Sequence, residues 1–164
     1  MSATMRVMMV AVAVVVTAGC GPAVPTPAAM EAAADSLDRR YLEAFNRGDV
    51  DAVTALYWDS PSLVSIGLAG TGIRGRDAFR TDMAETFKAM PGSRLEFTHM
   101  QNVAEGDVVL GWGRWRLTTP VPGGDPQVLE GRYSDVKALR NGTWVYVMDH
   151  ASTPLLPPPP PPAP

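Results

Sequence analysis

Apolar residues recur at spacings of three and four from Met30: Met30, Ala34, Leu37, Tyr41, Ala44 and Phe45 fall on one face of a helix. The pattern predicts an amphipathic helix over Met30–Arg47, stopped by Gly48 in the C′ position. Asp49 can then cap a second helix running to Tyr57, with Val53, Leu56 and Tyr57 facing inward. Ser62–Ile66 reads as a strand, and Gly67, Gly70, Gly72 and Gly75 make the next stretch a hairpin or loop. No GK[ST] comes after these glycines, so they do not form a phosphate loop. A third helix over Arg76–Met90 gathers Phe79, Met83, Phe87 and Met90 on one face and ends at Pro91-Gly92.

Beyond Gly92 the period changes from 3.6 to 2. Leu95, Phe97, His99 and Gln101 alternate with Arg94, Glu96, Thr98 and Met100. Turn residues at Gly106-Asp107, Pro122–Pro126 and Asn141-Gly142 separate further strands over Val108–Thr118, Val128–Leu139 and Thr143–Ser152. Short turns make these four strands an antiparallel meander. Three helices followed by a meander predict an α+β fold, with the N-terminal helices packed on one face of a curved antiparallel sheet.

The two ends carry a different pattern. Arg6 precedes an unbroken apolar run, Val7–Val16. As a helix it would span only about 15 Å, too short for a hydrocarbon core of about 30 Å but right for the apolar part of a secretory signal. Thr17-Ala18-Gly19-Cys20 comes next and resembles the lipobox of bacterial lipoproteins, although Thr17 stands where Leu is usual. Its sole cysteine, Cys20, is then the lipidated residue. The alternative is an ordinary signal cleaved near Gly19, which would leave an unpaired thiol in an exported protein. The expected organisation is a signal over 1–19, a Pro-rich linker over 20–29, one domain over 30–152 and a polyproline tail over 153–164. The expected location is an exported protein held at a membrane through Cys20, facing the periplasm from the outer membrane if the host has one.

Composition narrows the function. Hydrophobic content of 46% and charged content of 19% describe a globular domain. A net charge of −3 with no basic run argues against nucleic acid as a partner. Two histidines and one cysteine argue against a structural metal site, and no cofactor is expected.

Two stretches resemble a known family. "RRYLEAFNRGDVDAVTALYWDSPSLVS" (39–65) is similar to the opening of the NTF2-like superfamily, which includes ketosteroid isomerases and SnoaL-like cyclases. "GRYSDVKALRNGTWVYVMDHAS" (131–152) resembles the closing strands of its DUF4440 and SnoaL-like (SgcJ/EcaC-type) branch. The resemblance implies a cystatin-like cone with a mostly apolar pocket between sheet and helices, commonly in a homodimer. It places Tyr41 at the family's helix-borne oxyanion donor and Asp135 or Ser134 near the second donor. The family's general base, an Asp, falls on Ser65, whose hydroxyl is too weak a base to take a carbon-bound proton unaided.

Strand alternation supplies the remaining candidates. Trp112 and Trp115 differ in parity, so one faces pocket or core and the other the outer face; Trp112 is expected in the pocket. Arg114 and Arg116 share its face, where they would favour an anionic ligand or, on an outer face, be solvated. His99 is expected on the face of Leu95 and Phe97. In "VYVMDHAS", alternation sends Asp149 to one face with Val145 and Val147, and His150 to the other with Tyr146, Met148 and Ser152. His150 is therefore the expected catalytic candidate beside Tyr41, with Asp135 as its carboxylate partner; Trp58, Ser65, Trp112, Ser134 and Ser152 are expected to line the pocket. With no base in the family position, the expected function is a non-catalytic envelope module that binds a small apolar or aromatic ligand. The alternative is a cofactor-independent isomerase, cyclase or dehydratase using His150 and Tyr41.

Overall fold

A computed structural model describes residues 25–68, 70 and 72–154. The expected signal segment, the lipidation site Cys20 and most of the polyproline tail lie outside the described residues. Among the described residues no helix is long and apolar enough to cross a membrane.

Helix α1 (Pro27–Asn46) begins three residues before the predicted start, because Thr26 caps it and Pro27 occupies a position that needs no hydrogen-bond donor. The Thr26 hydroxyl accepts from the Ala29 amide at 3.3 Å. Helix α2 (Val50–Thr54) is short; the Asp49 carboxylate caps it, accepting from the Ala52 amide at 2.9 Å. The chain then forms a hairpin, β1 (Val64–Ile66) with β2 (Gly72–Arg74), before α3 (Arg76–Ala89). The helices are thus not one N-terminal block, since a pair of strands interrupts them. Four long strands come after α3: β3 (Arg94–Glu105), β4 (Val108–Thr119), β5 (Gln127–Arg140) and β6 (Thr143–Ser152). The β5–β6 turn has left-handed backbone at Asn141 (φ 51°) and Gly142 (φ 77°), the geometry that an Asn-Gly pair accepts most readily.

All six strands join one sheet in the order β2-β1-β6-β5-β4-β3. The meander is antiparallel as predicted, but β1 lies parallel to β6, so the sheet is mixed. Parallel neighbours need a long connection, and here most of the domain lies between the two strands in sequence. The main core sits between the concave sheet face and the helices, around Leu37, Phe45, Val53, Leu63, Phe79 and Trp115.

Two irregularities decide which residues face that core. In β3 against β4, Phe97 pairs with Trp115 but His99 pairs with Arg114, leaving Thr98 as an extra residue. In β5 against β6, Val136 pairs with Met148 but Lys137 pairs with Tyr146, leaving Val147 as the extra one. Each is a β-bulge, which shifts the side-chain alternation by one residue. The first turns His99 away from Leu95 and Phe97 to an exposed position, contrary to expectation. The second puts Tyr146 and Asp149, three residues apart, on the same inner face.

Candidate functional site

A cavity of about 340 Å³ opens between the concave face and the helices. Its walls are mostly apolar and aromatic: Phe45, Phe79, Met83, Phe97, Trp115 and Leu117. Tyr41 lies parallel to Phe97, ring centroids 6.2 Å apart, and meets Tyr57 and Tyr146 edge-on. Burial raises the hydroxyl pKa of Tyr41, Tyr57 and Tyr146, so all three are neutral donors in this setting.

The polar groups of the cavity come from β1, β5 and β6. Asp149 faces inward, and its Oδ2 accepts from the Tyr57 hydroxyl at 2.8 Å. Its Oδ1 is buried and has no hydrogen-bond partner among the described residues. Ser65 stands opposite it across the parallel β1–β6 pairing, and Asp135 stands opposite it across β5–β6. Burial raises the Asp149 pKa; the Ser65 and Tyr57 hydroxyls and the neighbouring His150 pull the other way. Burial likewise pushes Asp135 up to about 6, against the opposing pull of Lys137.

Asp135 links the cavity to a polar cluster deeper in the domain. Lys137 is fully buried, and its ammonium contacts Asp135 Oδ1 at 2.7 Å, Asn102 Oδ1 at 2.8 Å and Asp38 Oδ1 at 3.0 Å. The first two contacts are hydrogen bonds and the third is an ion pair. Asn102 donates in turn to Asp38 and Asp35, both at 2.8 Å, and the Tyr146 hydroxyl donates to Asp38. Gly111 on β4 admits this cluster, since a Cβ there would lie 2.3 Å from Asp135 Oδ1 and 2.5 Å from Lys137 Nζ.

The structure brings Tyr41, Ser65 and Asp135 to the cavity and places His150 on its border. No hydrogen bond or ion pair joins His150 to Asp135 among the described residues. His150 pairs with Ser134, which also pairs with Trp112, in the row that alternates with the inward Asp149 and Asp135. The predicted orientation of Asp149 and His150 is therefore reversed. Strict alternation counted back from Tyr146 fails at the Val147 bulge.

Four expected lining residues do not line the cavity. Trp112 is 40% exposed on the outer face with Arg114 and Arg116, while Trp115 turns inward and donates from Nε1 to the Arg132 carbonyl at 3.0 Å. Ser134 shares the outer row with Trp112. Ser152 pairs with Arg132 at the end of β6, beyond the cavity. Trp58 is half-buried beneath the Arg140 guanidinium, 5.2 Å from its ring centroid, because its neighbour Tyr57, bridged to Tyr146, is the residue that turns into the core.

Sequence reasoning passed over Asp38, Asn102 and Lys137, and set Asp149 aside. For Asp38 a signal exists: the helical row Ala34, Asp38, Tyr41, Phe45 carries a carboxylate on a buried stripe. Among the described residues, no group of three or more His, Cys, Asp or Glu side chains could hold a metal ion.

The model of the SnoaL-like domain matches residues 39–147. The chain belongs to the SnoaL-like domain family. Solved structures similar to this member place it in the NTF2-like, cystatin-like fold. An NTF2-like protein of unknown function from Shewanella oneidensis is 26% identical, with a TM-score of 0.61 over 74% of this chain and 97% of that one. An NTF2-like superfamily protein from Salmonella enterica is 23% identical, with a TM-score of 0.66 over 74% and 88%. A candidate dehydratase of the NTF2-like family from Streptomyces avermitilis is 17% identical, with a TM-score of 0.72 over 80% and 100%. At these identities the last two speak for the fold alone. No curated protein matches the sequence.

Proposed function

We propose that this SnoaL-like domain binds a small, largely apolar molecule in its cavity, with Asp149 rather than His150 as the polar group that meets it. The observation carrying this reading is the buried, unpartnered Asp149 Oδ1 at the end of an aromatic cavity of about 340 Å³. A buried acceptor without a donor is costly, and a ligand donor would satisfy it. The test is binding of the neutral dye Nile red. Wild type should bind the dye, and Thr86→Trp, which fills the cavity from α3, should lose binding while keeping the wild-type circular dichroism. Equal binding by both proteins would place the dye elsewhere and remove the support for this site.

A second reading, cofactor-independent proton transfer of the isomerase, cyclase or dehydratase type, is favoured by the Asp135–Asp149 pairing. A module without catalysis was expected because the Ser65 position lacks a base, and an inward Asp149 beside Ser65 weakens that reason. Two facing carboxyl groups, one with its pKa pushed up to about 6, suit an acid and a base. Deuterium uptake from D2O by the neutral ketone β-tetralone, followed by NMR, tests this. Wild type should accelerate exchange, and Asp149→Asn should lower the rate by about 10²–10⁴-fold; no acceleration by wild type would count against the second reading.

Lipid anchorage through Cys20, export and homodimerisation belong to the same proposal. Val103 and Leu110, paired across β3–β4, and Trp112 form an exposed apolar group on the outer face that suits a second copy. Mass spectrometry of the mature N-terminus should find acylated Cys20, and sedimentation should find a dimer that Trp112→Glu weakens.

A further inference from the structure

Three carboxyl groups meet the concave side of the sheet: Asp38 and Asp135 are buried and share an ammonium, and Asp149 is half-buried with its Oδ1 shielded from solvent. Asp38 and Asp135 share Lys137 Nζ at 3.0 and 2.7 Å. Asp149 faces the same side from the neighbouring strand, directly opposite Asp135, with the Tyr57 hydroxyl on Oδ2, the Ser65 hydroxyl close by and no hydrogen bond on Oδ1. No lysine or arginine lines the cavity, while Asp82 adds a further carboxylate at its mouth. His150 borders the cavity but makes no ion pair with Asp149 among the described residues. Beside the carboxylate stand the rings of Tyr57 and Phe79, centroids 3.9 Å apart, and Tyr146, 5.0 Å from Tyr57. Aromatic faces around a desolvated carboxylate suit an organic cation.

We propose that the cavity takes a small aromatic or apolar molecule carrying a protonated amine, whose ammonium meets Asp149 Oδ1 as Lys137 Nζ meets Asp38 and Asp135. The inference rests on the cavity being a binding site and adds the charge class of what it binds. Neutral analogues satisfy the aromatic walls but offer Oδ1 only a hydroxyl. Anions meet three carboxyl groups, Asp149, Asp135 and Asp82, with no lysine or arginine in the lining to offset them.

Three indole probes of near-equal size separate these possibilities: tryptamine, tryptophol and indole-3-acetate, titrated calorimetrically at neutral pH. Wild type should bind tryptamine at least about tenfold more tightly than tryptophol, with indole-3-acetate weakest. Asp149→Asn should bring tryptamine and tryptophol to within about twofold while retaining tryptophol. Asp82→Asn should keep most of the preference, which distinguishes a direct ion pair from a general negative field. The ranking in wild type needs no variant, so a poorly folded Asp149→Asn protein would leave it standing. Tryptophol binding as tightly as tryptamine, or a preference that survives in folded Asp149→Asn, would overturn the amine proposal and leave the cavity reading intact. Failure of all three probes to bind wild type would overturn the amine proposal, and the Nile red comparison decides the cavity reading separately.

Discussion

Two regions treat buried charge in opposite ways: the polar cluster behind the cavity, its deep end, and Asp149 on the cavity wall, its open end. At the deep end, Lys137 donates to Asp135 and Asn102 and forms an ion pair with Asp38, and Asn102 and Tyr146 donate to Asp38. At the open end, Asp149 has the Tyr57 hydroxyl on Oδ2, the Ser65 hydroxyl and His150 nearby, and no hydrogen bond on Oδ1. Lys137 and Asp135 lie on β5 and Asp149 on the adjacent β6, so the same kind of local structure carries both. A closed network stabilises the fold only while every member is present, whereas an open acceptor leaves room for an outside partner. The deep end is therefore expected to govern stability, and the open end recognition.

Removing the shared cation is the harshest way to break that contrast. Lys137→Met leaves two carboxylates buried without their ammonium and should lower stability by about 3–5 kcal/mol in urea unfolding. Gly111→Ala tests the same end by crowding, because the new Cβ would fall within 2.5 Å of Lys137 Nζ. A loss of about 1–3 kcal/mol is expected, and full wild-type stability would mean that the cluster relaxes without cost.

The third prediction concerns pH. A carboxyl with a folded pKa above its unfolded value keeps its proton longer in the folded state. Its contribution is complete below the ordinary value of 3.8 and is lost as pH rises to about 6. Asp135 should therefore give wild type a falling stability component across that window, on the order of 3 kcal/mol, which Asp135→Asn removes. The difference between the two unfolding curves measured against pH isolates it from other groups. A difference that rises with pH would contradict the raised Asp135 pKa.

At the open end the sign should reverse. Asp149→Asn replaces a carboxyl group that has no lysine or arginine partner by a neutral amide and should leave stability within about 1 kcal/mol of wild type, on the stabilising side. A loss comparable to Lys137→Met would show that Asp149 belongs to the structural network after all. His150→Ala should have the smallest effect, about 0.5 kcal/mol or less in stability and within twofold in Nile red affinity. A large loss of binding there would return His150 to the centre of the site.

Much of the scaffold was legible because its signals are local. The helical row from Met30 to Phe45, the Asp49 cap, the Asn141-Gly142 turn and the period-2 strands each depend on residues close in sequence. Tyr41 and Ser65 could be placed by resemblance for the same reason. The reading failed from His99 and Asp149 onward, where one extra residue in a strand reversed the faces of its successors. Nothing in "FTHM" or "YVMDH" marks Thr98 or Val147 as bulged. A bulge depends on how a strand registers with its neighbour.

The sequence by itself determined the order of the elements, the amphipathic faces of the helices, the meander and an aromatic interior, because periodicity and turn chemistry act over a few residues. Only the tertiary structure decided that β1 runs parallel to β6, that Lys137 closes on Asp38 and Asp135, and that Asp149 looks into the cavity while Trp112 does not. Those outcomes depend on pairings between distant segments. A buried charge also has no fixed meaning until the fold shows whether a partner reaches it.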